Sequence, residues 1–187
     1  MEDSSKKDKF LIFLDFDGVL NDIKSVSHLL KMGGFFVRED DDNVFCKDSI
    51  NAINYLIETM SLKYDVQLVL TTFWKCFPKA VNILKNNGLI YSGKINSTPI
   101  FFGQRKAKEI IHYLIENDEW KEFLIIDDKS SLKKCFSEKN FIKTNIWDGA
   151  LTISDVLNYL KTYYPDLEKQ NPIKDNFMYG SNEEKCM

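Results

Sequence analysis

Phe13-Leu-Asp-Phe-Asp-Gly-Val-Leu-Asn-Asp22 is where an apolar run, Leu11 to Leu14, breaks off at a carboxylate. Such a run reads as a buried strand whose end opens onto a site. Asp15 and Asp17 are two apart, so on a continuing strand their side chains point the same way. Two converging carboxylates repel unless a cation or a proton lies between them. Hard oxygen donors favour Mg²⁺. Gly18 lets the backbone turn close to whatever is bound. A simple Asp-Gly turn would explain Gly18 but not the second acid.

Three further stretches follow in order. Val66-Gln-Leu-Val-Leu-Thr71 is an apolar strand ending in a hydroxyl. Arg105 and Lys106 open a helical pattern. Phe123-Leu-Ile-Ile-Asp127-Asp128 is an apolar strand ending in acids. Together with Asp15 to Leu20, these resemble, in sequence, the four motifs of the haloacid-dehalogenase-like (HAD) phosphohydrolases. Within that family, Thr71-Thr72-Phe73-Trp74-Lys75 and the block Arg105 to Leu114 look most similar to the small HAD domain of Swiss-Army-Knife RNA repair proteins.

The composition is that of ordinary globular material, 44% hydrophobic and 28% charged, and 187 residues suit one domain with a full core. No apolar run approaches the roughly 18 residues that span a bilayer. The polar start MEDSSKKDKF has no signal-peptide core. Cys46, Cys76, Cys135 and Cys186 show neither CxxC pairing nor zinc spacing, which suggests unbridged thiols and a cytoplasmic setting. A net charge of −3 argues against generic nucleic-acid binding but leaves room for a local basic patch. Arg38 and Arg105 are the only arginines, which draws notice to Arg105 beside the third motif.

The pattern predicts an α/β, Rossmann-like three-layer α/β/α fold with a central parallel sheet and a small or absent cap. Residues 1–9 read as a disordered lead-in, 10–164 as the domain, 21–47 as a short flap over the site, and 165–187 as a polar C-terminal tail. Strands are expected near Phe10 to Asp15, Val66 to Thr71, Lys94 to Asn96, Phe123 to Asp127 and Phe141 to Thr144. Helices are expected from Asp48, acting as a cap, to Met60; from Pro78 to Asn87-Gly88; from Gln104 to Asn117, burying Ile110, Ile111 and Leu114; and from a Thr152/Asp155 capping signature to Tyr163, where Pro165 stops the chain. The Glu39 to Asp42 run lacks an EF-hand pattern and reads as a solvated loop.

The HAD resemblance implies a Mg²⁺-dependent phosphohydrolase acting on phosphate monoesters. Asp15 would be the nucleophile, forming an aspartyl-phosphate, and Asp17 the general acid and base. Asp15, Asp17 and Asp127 would hold the metal, Asp17 through its backbone carbonyl as well, with Asp128 holding a metal-bound water or orienting Lys106. Thr71 and Thr72 would bind the phosphate, with a cation from Lys106 or Arg105. Lys106 is favoured because it lies four before Ile110. Lys75 and Lys129 are substitutes. His28 and His112 stand apart from the motifs. Trp74 would either stack on a base or pack beneath the flap. The substrate would be a phosphorylated molecule, an RNA or DNA end or a phosphoprotein, bulky if the cap is small; membranes are not expected as partners, and the oligomeric state is not legible. A silent phosphate-binding adaptor and a sugar-phosphate phosphotransferase are the alternatives. The intact acids speak against the first and the missing cap against the second.

Overall fold

A computed structural model describes residues 6–22, 44–76, 79–101, 105–147 and 150–173. Five strands form one parallel sheet: β1 (Lys9–Leu14), β2 (Asp65–Leu70), β3 (Asn96–Ser97), β4 (Trp120–Asp127) and β5 (Phe141–Lys143). Their order is β3-β2-β1-β4-β5. β1 is therefore central, and its near-continuous apolar run is what a parallel strand covered on both faces requires.

The two faces are read by residue parity. Phe10, Ile12, Leu14, Leu68, Leu70, Leu124 and Ile126 belong to one core, with α1 (Lys47–Ser61), α2 (Ala80–Asn86) and α4 (Ile153–Tyr163). Leu11, Phe13, Val69, Ile125 and Phe141 form the other, under α3 (Lys106–Glu116). Period-two alternation thus divides the strands between two cores. The chain runs outward from β1 to β3, crosses back through α3 to β4, and continues outward to β5. The strand order reverses at β1, where open α/β sheets leave a crevice beyond the carboxyl ends. The predicted parallel sheet with helices on both faces is what forms.

Local details differ from the sequence reading for identifiable reasons. Asp48 is not the cap of α1. Cys46 holds that position, its carbonyl accepting from the Ser49 and Ile50 amides, and Asp48 lies in the first turn. A carboxylate still suits the positive end of the helix dipole there. On α3 the buried residues are Ala107, Ile110 and Tyr113, while Ile111 is 42% exposed. Apolarity alone cannot choose between neighbouring positions 100° apart; the small Ala107 permits close packing. The Thr152–Asp155 capping box is present in both directions. Pro165 ends α4 but also opens α5 (Pro165–Gln170), occupying a first-turn position where its missing N–H costs nothing. The stretch expected to be a polar tail thus begins with a helix that buries Leu167. Asn171 then ties it to α1, its side-chain amide donating to Thr59 Oγ1 at 2.9 Å and its carbonyl accepting from Tyr55 Oη at 2.8 Å. Residues 174–187 of that tail, residues 1–5 of the lead-in and residues 23–43 of the flap lie outside the described residues. Between β2 and β3 the described chain holds one 3₁₀ turn and α2. No disulfide is present among the described residues.

Glu122 of β4 links the sheet to the C-terminal helices. It accepts from Tyr164 Oη at 2.5 Å and Tyr64 Oη at 3.2 Å, and pairs with Lys139 at 2.8 Å. Burial alone would raise its pKa, but these donors outweigh burial and hold the carboxyl below the usual Glu range. A depressed folded-state pKa gives stability that is present above the unfolded value and is lost as pH falls through the folded one. Glu122→Gln is therefore expected to destabilise the protein by about 1–2 kcal/mol at pH 7. Chemical denaturation at pH 7 and pH 3 should show that gap closing in acid. An equal gap at both pH values would contradict it.

Candidate active site

The register that aligns Leu14 with Leu70 and with Ile126 puts Asp15, Thr71 and Asp127 in the next rank, at the carboxyl ends of three adjacent strands. The ladder continues one bond further, with the Thr71 amide donating to Leu14 O at 2.9 Å and the Asp15 amide to Ile126 O at 3.1 Å. All three residues are buried, and Asp127 is wholly so. Their odd parity matches that of the α3 face. Lys106, the first residue of α3, meets them there: its ammonium lies 2.5 Å from Asp15 Oδ2 and 2.6 Å from Asp127 Oδ2.

Beyond Asp15 the chain makes a single tight turn. The Phe16 carbonyl accepts from the amides of Val19, Leu20 and Asn21. Gly18 has φ +78°, and a Cβ on it would stand 2.9 Å from the Cβ, Cγ and Oδ2 of Asp128. Only glycine satisfies both the left-handed backbone and the approach of Asp128. Thr144, just after β5, clamps the turn by donating its hydroxyl to Gly18 O at 2.6 Å.

Asp15, Asp127 and Asp128 converge, with one oxygen from each within 4.8 Å of the others. Asp17 does not join them. Its carboxylate accepts from Asn21 Nδ2 at 3.1 Å and from the indole Nε1 of Trp74 at 3.1 and 3.3 Å. The expectation that Asp15 and Asp17 present their carboxylates side by side assumed a continuing strand. The turn at Phe16 sends Asp17 elsewhere, and Asp128 takes its place among the acids.

The electrostatics record a surplus of negative charge. Three carboxylates face one ammonium, an excess of two charges when all are ionised. Burial and then the charge of Asp15 push Asp127 up to about 6, despite Lys106 and the Lys129 amide. Asp128 is raised for the same two reasons, burial first. For Lys106, burial works to lower the pKa, but the charges of Asp15 and Asp127 prevail and raise it. A divalent cation held by oxygens would cancel the excess, so the residues fit one.

The phosphate-binding candidates separate cleanly. The Thr71 hydroxyl is buried and has no hydrogen-bond partner among the described residues, which suits a donor to a bound ligand. Thr72 instead uses its hydroxyl to accept from the Trp74 amide at 3.3 Å, which starts the 3₁₀ turn Phe73–Cys76. Lys106 reaches the acids, whereas Arg105 is exposed, in extended conformation ahead of α3. Lys75 is taken by Glu109 at 2.6 Å and Thr98 Oγ1 at 2.7 Å. Lys129 offers its backbone amide, 2.8 Å from Asp127 Oδ1, while its side chain is exposed. Trp74 is half-buried and packs against Phe16 and Phe45 with ring centroids 5.9 and 5.8 Å away. Asn21 was missed in the sequence reading; a buried asparagine four residues after an acid is the signal that could have found it.

A parallel α/β sheet with an acid-hydroxyl-acid rank and a helix-borne lysine defines a HAD-type phosphohydrolase domain. Residues 11–156 match the family described as the HAD domain in Swiss Army Knife RNA repair proteins, and the chain belongs to that family. No curated protein and no solved structure gives a significant match. Among the described residues, no helix is long and apolar enough to cross a membrane.

Lys106→Met removes the one ammonium that, among the described residues, pairs directly with Asp15 and Asp127. The metal-free variant is expected to lose about 3 kcal/mol, the usual cost of stranding a buried charge. Thermal melts in EDTA and in excess Mg²⁺ test this: the variant should melt well below wild type in EDTA, and added Mg²⁺ should narrow the gap. Identical melting in EDTA would contradict the electrostatic assignment.

Proposed function

We propose that the chain is a Mg²⁺-dependent phosphatase that cleaves phosphate monoesters through an aspartyl-phosphate on Asp15. One arrangement carries this reading: the buried Asp15 carboxylate, gripped by Lys106, beside an unpartnered Thr71 hydroxyl and the Asp127–Asp128 acids. Asp15, Asp127 and Asp128 would hold Mg²⁺, which when bound neutralises acid and phosphate and so permits their approach.

The steps then fall to named side chains. The Asp15 carboxylate attacks phosphorus, the bond from phosphorus to the leaving oxygen breaks, and that oxygen takes a proton from Asp17. Thr71 donates its hydroxyl to a phosphoryl oxygen, and Lys106 balances the transferred charge. A water then attacks the aspartyl-phosphate and gives a proton to Asp17. Inorganic phosphate leaves, and both aspartates return to their starting forms. Asp15→Asn is expected to abolish turnover with the fold intact, and EDTA to abolish wild-type turnover until Mg²⁺ is restored. A screen of phosphate monoesters measures both. Full activity without a divalent ion, or in Asp15→Asn, would refute the mechanism.

For the substrate we favour a terminal phosphate on a single-stranded nucleic acid. The family's occurrence in RNA repair proteins supports this. So does an exposed ring at the carboxyl-terminal edge of the sheet, Trp147 after β5, 74% exposed. Trp74 is half-buried, so the more exposed Trp147 is the better platform for a base. The acidic net charge favours recognition of an end over binding along a strand. Trp147→Ala should lower kcat/KM about tenfold on a 3′-phosphorylated oligonucleotide, since one base stack contributes roughly 1–3 kcal/mol. An aryl phosphate should be affected far less. Preference of the wild type for a free mononucleotide would exclude this substrate class.

A further inference from the structure

We infer that Trp74 is a positioning residue for Asp17, its indole N–H holding that carboxylate in one orientation. The inference rests on the phosphatase reading above and assigns a role within it.

The first support is the turn that carries Trp74. Phe73–Cys76 is a single 3₁₀ turn, too short to be rigid by itself. It is fixed at both ends. Thr72 Oγ1 accepts from the Trp74 amide, and Lys75 is anchored by Glu109 and Thr98 and by Pro99 O at 3.1 Å. The Lys75 and Glu109 side chains are 5% and 12% exposed, so this pair is shielded from water. The indole packs against Phe16 and Phe45 at tilted angles of 57° and 52°. Backbone, anchor and ring therefore all restrict where the indole N–H points.

The second support is the count of acceptor sites on Asp17. A carboxylate oxygen offers two lone pairs. Oδ1 receives Asn21 Nδ2 at 3.1 Å and the longer branch of the indole contact, 3.3 Å. Oδ2 receives only the shorter branch, 3.1 Å. Oδ2 is therefore the less occupied oxygen, and the indole N–H bridges both oxygens and so fixes the plane of the carboxylate. Packing against Phe16 and Phe45 needs an aromatic ring but no N–H donor, so the contact with Asp17 is a separate feature.

Trp74→Phe keeps the ring and removes the N–H. In the first chemical step, an alkyl leaving group needs the Asp17 proton and an aryl leaving group scarcely does. The ratio kcat/KM reports steps through leaving-group departure. Trp74→Phe is expected to lose about tenfold in kcat/KM on an alkyl phosphate and at most about threefold on an aryl phosphate, a fraction of what general acid catalysis supplies. In an Asp17→Asn background the same substitution should cost nothing further on the alkyl phosphate, because both changes remove one function. Equal losses on both substrates, or additive losses in the double variant, would mean a structural role only and overturn the inference, while leaving the phosphatase reading in place. Absence of any phosphatase activity in the wild type would overturn both. The contact itself has a separate readout. The indole ¹H–¹⁵N resonance of Trp74 should shift in Asp17→Ala, while that of Trp120, bonded to Leu114 O, should not; an unmoved Trp74 resonance would also refute the inference.

Discussion

Three converging carboxylates at the end of one sheet, two of them buried, are the constraint around which the rest is arranged. Asp15, Asp127 and Asp128 cannot all be ionised at close range unless positive charge is brought to them. Among the described residues one ammonium, Lys106 from the first turn of α3, touches them, and burial followed by the charge of Asp15 still holds the pKa of Asp127 up. The shortfall is itself functional information. A wholly structural ion-pair cluster would be expected to balance, since stranded buried charge costs several kcal/mol. A cluster left two charges short is suited to a divalent cation.

Holding such a cluster together requires stiffness next to it. The turn after Asp15 gains this from three directions: the Phe16 carbonyl with its three amide donors, the Thr144 hydroxyl on Gly18 O, and the packing of Asp128 against the bare Cα of Gly18. The end of β2 gains it from the Thr72 turn and the Lys75–Glu109 pair. That pair also reaches α3, the element that carries Lys106. The two acids of the first motif thereby acquire different surroundings within one turn. Asp15 is committed to Lys106 and the other acids, while Asp17 is held by neutral N–H donors. Different environments for two carboxylates are what separate roles for them require.

Much of this was written in the sequence. The run Leu11 to Leu14, the run Val66 to Leu70 and the run Phe123 to Ile126 are strands because continuous apolarity over a few residues suits a strand covered on both faces. Acids and a hydroxyl that end such runs lie at carboxyl termini, so the rank of Asp15, Thr71 and Asp127 could be drawn before any coordinates. The Thr152–Asp155 cap and the turn at Asn87-Gly88 were legible too, because each depends on a few neighbouring residues.

What the sequence could not contain is anything decided by contacts across the chain. Whether Lys106 or Arg105 faces the acids is set by how α3 lies on the odd-parity core through Ala107 and Ile110. Whether Trp74 presents its ring or its N–H depends on Phe45, a residue 29 positions away in sequence, and on Phe16. The exchange of Asp17 for Asp128 among the converging acids follows from the turn after Asp15, which the Phe16 carbonyl, the Thr144 hydroxyl and the approach of Asp128 to Gly18 hold together. Local chemistry fixed which residues could react; the packing of three strands and one helix decided which of them meet.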